Sequence, residues 1–150
     1  MKKIKPINAV IAALVLLTIV SAAVHFATRT DVPEGMLRVE YSGTAVELSV
    51  DRLELEPVRG TLRSGKGEEL TIDGQGLPLS QVLERAGAGK YSVVTVTAND
   101  EYSAVVTAEE VADPGRVYLL LEEDGSLRLV VFGDENRKRN VSDVRLVSVS

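Results

Sequence analysis

From Ile7 to Ala27 the chain runs 21 residues without Asp, Glu, Lys or Arg. At 1.5 Å rise per residue a helix of that length spans about 30 Å, the thickness of a bilayer's hydrocarbon core. Beyond it the pattern changes period. Leu37 to Tyr41 and Ala45 to Leu48 alternate apolar and polar, which predicts half-buried strands joined by the turn Ser42-Gly43-Thr44. Ser49 is placed to cap a short helical turn through Leu55, closed by Pro57. Val58 to Arg63 and Glu69 to Ile72 read as strands around Ser64-Gly65-Lys66-Gly67, with Asp73-Gly74-Gln75-Gly76 as a loop. Leu79, Val82, Leu83 and Ala86 share one helical face, and Gly87 follows as a stop.

The second half continues in short strands. Tyr91 to Ala98 and Tyr102 to Val106 flank the turn Asn99-Asp100, and Thr107 to Glu110 forms a capping box opening a short helix that ends at Asp113-Pro114-Gly115. Val117 to Leu121 and Leu127 to Phe132 form a hairpin around Glu122 to Gly125. Gly133 to Asn140 is a charged loop, and Val144 to Val149 a last strand. Many hairpins with few, short helices predict an α+β fold of mixed, mainly antiparallel sheets. The expected organisation is a membrane anchor or signal segment at 1–30, a linker and first strand at 31–44, and a domain at 45–150.

Charge sharpens this division. Residues 1–30 carry Lys2, Lys3, Lys5 and Arg29 and no acid. Taking those four from 17 basic residues leaves 13 against 22 acids in 31–150, a net charge of −9. Nucleic acid needs a basic footprint, so it is not an expected partner. Basic residues ahead of the apolar run favour an inside N-terminus, which puts the acidic part outside the cytoplasm. The run is longer than the roughly 7–15 apolar residues of a signal peptide, which favours an uncleaved anchor. Ser21-Ala22-Ala23 offers small residues for signal peptidase, so secretion after cleavage is the alternative. The chain has no cysteine, which excludes disulfides, thiolate chemistry and lipoprotein processing. The lone His25 sits near the far end of the apolar run, as an amphipathic ring tolerates, and leaves no histidine for a serine-type triad.

From Gly74 onward, four short stretches in order resemble the molybdopterin-binding domain of the sulfite oxidase family. Gly76-Leu77-Pro78-Leu79 leads into a Leu-rich helix ending Arg85-Ala86-Gly87; Val93 to Val106 is similar to the family's next hairpin. Leu127 to Val131 resembles its Leu-Arg-Leu-Val-Val strand, with Phe132 where Pro is usual. Arg139-Asn140-Val141 before Val144 to Val149 resembles the closing segment. The likeness covers roughly residues 45–149 and implies that family's fold. It also implies a pterin cofactor, with Arg139 the residue to hold its phosphate. The departures bear on chemistry. Leu62-Arg63-Ser64-Gly65 stands where catalytic members carry the cysteine that ligates molybdenum, and Ser64 takes its place. A serine oxygen is a poor soft ligand. The family's Gly-Gly-Pro loop is missing, and Ser142 replaces the usual Lys.

The candidate cofactor-binding residues are therefore Ser64, Arg137 and Arg139. Arg137-Lys138-Arg139 can fork onto phosphate oxygens, or form a solvated loop neutralised by Asp134 and Glu135. Ser64 to Gly67 can cradle an anion, but it lacks phosphate-loop spacing and opens no helix, so a plain turn is the favoured reading. Glu122-Glu123-Asp124 and Asp134-Glu135-Asn136 lack the alternating spacing of a calcium loop, so no metal ligands are expected. The expectation is a membrane-associated, extracytoplasmic binding or interaction module without molybdenum redox chemistry of its own. The alternative is a molybdopterin-dependent oxidoreductase, or a subunit of one, that retains the pterin cofactor; a third reading is a structural subunit that docks on a membrane redox protein.

Overall fold

The computed structural model describes residues 6–28, 32–135 and 137–150, with side chains of the first segment described over 7–20. The basic stretch at 1–5, residues 29–31 and Asn136 lie outside them, as do the side chains of Ser21, Ala22, Ala23 and His25. Two compact units result, divided between Asp31 and Val32.

The first unit is one helix, α1 (Pro6–Thr28, 23 residues). Ile7, Val10, Ile11, Leu14, Val15, Leu16, Leu17, Ile19 and Val20 are 49–65% exposed, all around its circumference. Thr18 Oγ1 donates to the Leu14 carbonyl at 2.9 Å, so the hydroxyl is satisfied within the helix. Among the described residues no helix is long and apolar enough to cross a membrane. Residues 7–20 alone cover only about 21 Å of helix, whereas the backbone of all of α1 covers about 34 Å.

The second unit, 32–150, is α+β with two sheets. The five-stranded sheet has the order β2-β1-β9-β5-β6, built from β1 (Met36–Tyr41), β2 (Thr44–Ser49), β5 (Val93–Ala98), β6 (Ser103–Thr107) and β9 (Val144–Val149). Its β1–β9 pair is parallel and the others antiparallel. The four-stranded sheet, order β3-β4-β7-β8, is wholly antiparallel and consists of β3 (Glu56–Arg63), β4 (Glu69–Pro78), β7 (Val117–Leu121) and β8 (Leu127–Val131). Two short helices, α2 (Leu79–Ala86) and α3 (Ala108–Ala112), follow β4 and β6. The segment 31–44 thus enters this unit from Val32 on, since β1 lies inside the five-stranded sheet.

The alternating strands turn Leu37, Val39, Val94, Val96, Val106 and Val147 into one core, and Leu77, Leu119, Leu127 and Leu129 of the other sheet meet them there. Leu79, Val82, Leu83 and Ala86 of α2 join on the face that their spacing predicts. Gly87 closes α2 in the left-handed region at φ 81°, where a side chain would be strained. The Thr107 capping box forms with both of its bonds.

Two local expectations are corrected. Asp73 to Gly76 is not a loop, because β4 continues through it to Pro78. Gly76 serves close approach rather than a turn: a Cβ on it would collide with the Leu119 carbonyl on β7. Ser49 precedes a 3-10 turn at Val50–Arg52, but its side chain makes no cap bond, and Pro57 belongs to β3. The strand tolerates Pro57 because β3 is an edge strand and the missing N–H faces outward.

A second apolar cluster occupies the other face of the four-stranded sheet. Val58, Leu62, Leu120 and Val130 are buried there, with Ile72, Tyr118 and Phe132 packed against them. Phe132, just past β8, reaches Gly60 on β3, although these strands are opposite edges of the sheet. The sheet is therefore strongly curled, and Phe132 bridges its two edges. Its ring meets Tyr118 edge-on at 5.9 Å.

Candidate functional site

The charged loop after β8 is held by one residue. Arg139 Nε and Nη2 donate to Asp134 at 2.8 and 2.5 Å, and Nη1 and Nη2 donate to Glu110 on α3 at 2.9 and 2.6 Å. Nη1 also donates to the Val105 carbonyl on β6 at 3.2 Å. All five guanidinium N–H groups thus have an acceptor. Arg116 Nη2 adds a second cation 3.3 Å from Glu110. Hydrogen bonds from Arg139 hold the Glu110 carboxyl down at about 2, and two carboxylates raise the Arg139 pKa further above its ordinary value.

Ser64 is engaged elsewhere. Its Oγ accepts from the Lys66 and Glu68 N–H groups at 3.3 and 3.1 Å, pinning the turn between β3 and β4. Its own N–H donates to the Glu68 carbonyl at 2.8 Å. Arg137 is exposed, and its carbonyl accepts from the Asn140 N–H at 3.1 Å. The bonds of Ser64 and those of Arg139 run to different sheets, so the three predicted cofactor residues are not brought together by shared partners. A pterin phosphate would find the Arg139 donors already filled by carboxylates. No group of His, Cys, Asp or Glu among the described residues is arranged to hold a metal ion.

The Arg139 clasp does structural work at a sheet edge. Ala98 N–H donates to the Tyr102 carbonyl and Ala108 N–H to the Ser92 carbonyl, which sets the ladder between β5 and β6. By that alternation the backbone groups of Ser103, Val105 and Thr107 point away from β5. Arg139 takes the Val105 carbonyl, and Glu110 Oε1 accepts from the Thr107 N–H at 3.2 Å. Tyr102 Oη donates to the Lys138 carbonyl at 2.5 Å, laying the same loop along the edge. Sequence reading named Asp134 as neutralising this cluster and Glu110 as a cap. It missed that Glu110 also grips Arg139, because 29 residues of chain separate them.

Concave surface lies elsewhere. A cleft of about 440 Å³ is bordered by Met36, Leu48, Leu53, Arg52 and Arg85, at the end of β2. Arg85 pairs with exposed Glu54 at 3.0 Å, and its Nη1 contacts the Arg52 carbonyl at 3.5 Å. A second cleft of about 480 Å³ lies between the β7–β8 hairpin and the start of β1, with Asp51, Asp124, Asp143 and Arg145 at its wall. Asp124 accepts from Ser126, which lowers its pKa, and Asp143 pairs with Arg145 at 2.9 Å. Nothing in the sequence pattern beyond short alternation at 44–49 signals either cleft.

Comparison with known proteins assigns no family: no protein-family model matches the chain, and no curated protein matches it.

Proposed function

We propose that this protein is a membrane-tethered, extracytoplasmic interaction module built on a molybdopterin-binding-like fold, with no molybdenum chemistry of its own. The tether is α1. Its described apolar side chains, Ile7 to Val20, are exposed on every side of the helix, the pattern of a segment solvated by lipid rather than by one protein groove. The uncharged run from Ile7 to Ala27 supplies the length, and the charge contrast across Arg29 supplies the orientation. The observation that carries the interaction reading is the saturation of Arg139: the residue best suited to a cofactor phosphate donates all five N–H groups within the protein. Ser64, at the position of the family's metal-ligating cysteine, accepts two backbone N–H groups in its turn.

The full chain, expressed in cells and extracted in detergent, tests this reading in two measurements. It remains in the membrane pellet after alkaline carbonate washing, and protease added outside intact cells degrades residues 32–150. Elemental analysis and pterin fluorescence of the purified chain then read the cofactor. One molybdenum or one pterin per chain would replace this reading with the oxidoreductase alternative.

A further inference from the structure

Of the four asparagines in the chain, Asn140 alone is followed two residues on by a hydroxyl. Asn140-Val141-Ser142 has the form Asn-x-Ser with x other than proline, the acceptor pattern for an N-linked glycan. Such a pattern needs an asparagine that reaches solvent at the surface. Its surroundings here meet that need. Asn140 closes the charged loop after β8, where its N–H donates to the Arg137 carbonyl at 3.1 Å. The next residue, Val141, is fully buried, and its carbonyl accepts from the Leu129 N–H at 2.8 Å in an isolated bridge to β8. Turning Val141 into the core turns its neighbours Asn140 and Ser142 to the opposite side. Asn140 is half-buried and Ser142 exposed. Among the described residues no hydrogen bond holds the side-chain amide of Asn140, and that amide is not a buried unpaired group, so water reaches its Nδ2.

We propose that Asn140 is an N-glycan acceptor, loaded by an oligosaccharyltransferase on the extracytoplasmic face of the membrane from a lipid-phosphate-linked oligosaccharide. Nδ2 forms a C–N bond to the anomeric carbon of the first sugar as the bond from that carbon to the phosphate oxygen breaks. The lipid phosphate leaves with the electron pair, and a base of the transferase takes one Nδ2 proton. A carboxamide nitrogen is a weak nucleophile, and the hydroxyl two residues on is the handle by which such an enzyme selects it. Ser142, at the position where the resembled family carries Lys, supplies that handle. Exposed Arg137 and Lys138 stand just before Asn140, so a glycan there also covers the basic pair that an external trypsin-like protease would cut. The inference rests on the reading that puts residues 32–150 outside the cytoplasm and adds a modification to it.

The test synthesises the full chain with endoplasmic-reticulum microsomes, which carry the transferase and its donor and whose lumen stands for the outside of the cell. Protease added to the microsomes should leave residues 32–150 intact. That chain should migrate as a single heavier form, which peptide-N-glycosidase returns to the unmodified mobility. Asn140→Gln and Ser142→Ala should each abolish the shift, and Ser142→Thr should keep it. The transferase also acts on unfolded chain, so a folding defect in a variant does not mimic the loss. In the chain purified from its own cells, trypsin cuts after Arg139 and Arg145, and the peptide 140–145 should carry the added mass of sugars. A protected chain without the shift, a shift that survives Asn140→Gln, or a 140–145 peptide found only at its unmodified mass each overturns the proposal and leaves the tether reading standing. Digestion of residues 32–150 from outside the microsomes overturns the orientation itself, and this proposal with it.

Discussion

A Cβ added at Gly60 would sit 2.7 Å from Phe132 Cδ1, closer than real side chains approach. The glycine and the phenylalanine are therefore one packing unit, and Phe132, a departure from the resembled family, has a local reason to be aromatic. Gly60→Ala should cost about 1–3 kcal/mol in urea unfolding. Paired with Phe132→Leu, much of that loss should vanish, so the two changes are non-additive in a double-mutant cycle. Glu110 makes a second residue-scale case. Its pKa of about 2 lies below the ordinary 4.5, chiefly because Arg139 donates to it. A depressed carboxylate stabilises the fold fully above about pH 4.5, and that contribution is lost as pH falls toward about 2. Glu110→Gln should cost about 1–3 kcal/mol at pH 7 and flatten the pH dependence between 4.5 and 2, measured by urea titration across that range.

At the scale of elements, the apolar pattern was the reliable guide. The spacing of Leu79, Val82, Leu83 and Ala86 predicts α2, and all four are buried. Leu83→Ala should destabilise by about 2–5 kcal/mol in chemical unfolding, because it opens a cavity where the helix packs into the core. The Thr107 box, the hairpins and β9 were legible for the same local reasons: period, cap and turn chemistry. The failure at Asp73 to Gly76 is instructive. Two glycines beside an aspartate read as a turn, but the strand runs on, and at Gly76 the lack of a side chain lets β7 approach β4. That reason lies on a strand more than forty residues away and has no local signature.

For the whole molecule, the decisive feature is the place of β9. It lies at the centre of the five-stranded sheet, parallel to β1 and antiparallel to β5, so the last strand of the chain joins the first hairpin to the third. Deleting residues 144–150 should abolish the cooperative thermal transition seen by circular dichroism. Removing Gly65 and Lys66 from the exposed β3–β4 turn should leave a folded unit, shifted by no more than about 1–2 kcal/mol. The contrast separates sheet centre from hairpin tip.

Read alone, the sequence determined the apolar segment, the acidic unit after it, the α+β class and nearly every strand and helix, because these follow from period and charge within short windows. Tertiary structure decided how those elements share edges. It brought Glu110 and Asp134 onto Arg139 and curled the four-stranded sheet until Phe132 met Gly60. Each of these joins residues distant along the chain, and pairing between distant segments is settled by the packing of the whole core, not by any local pattern.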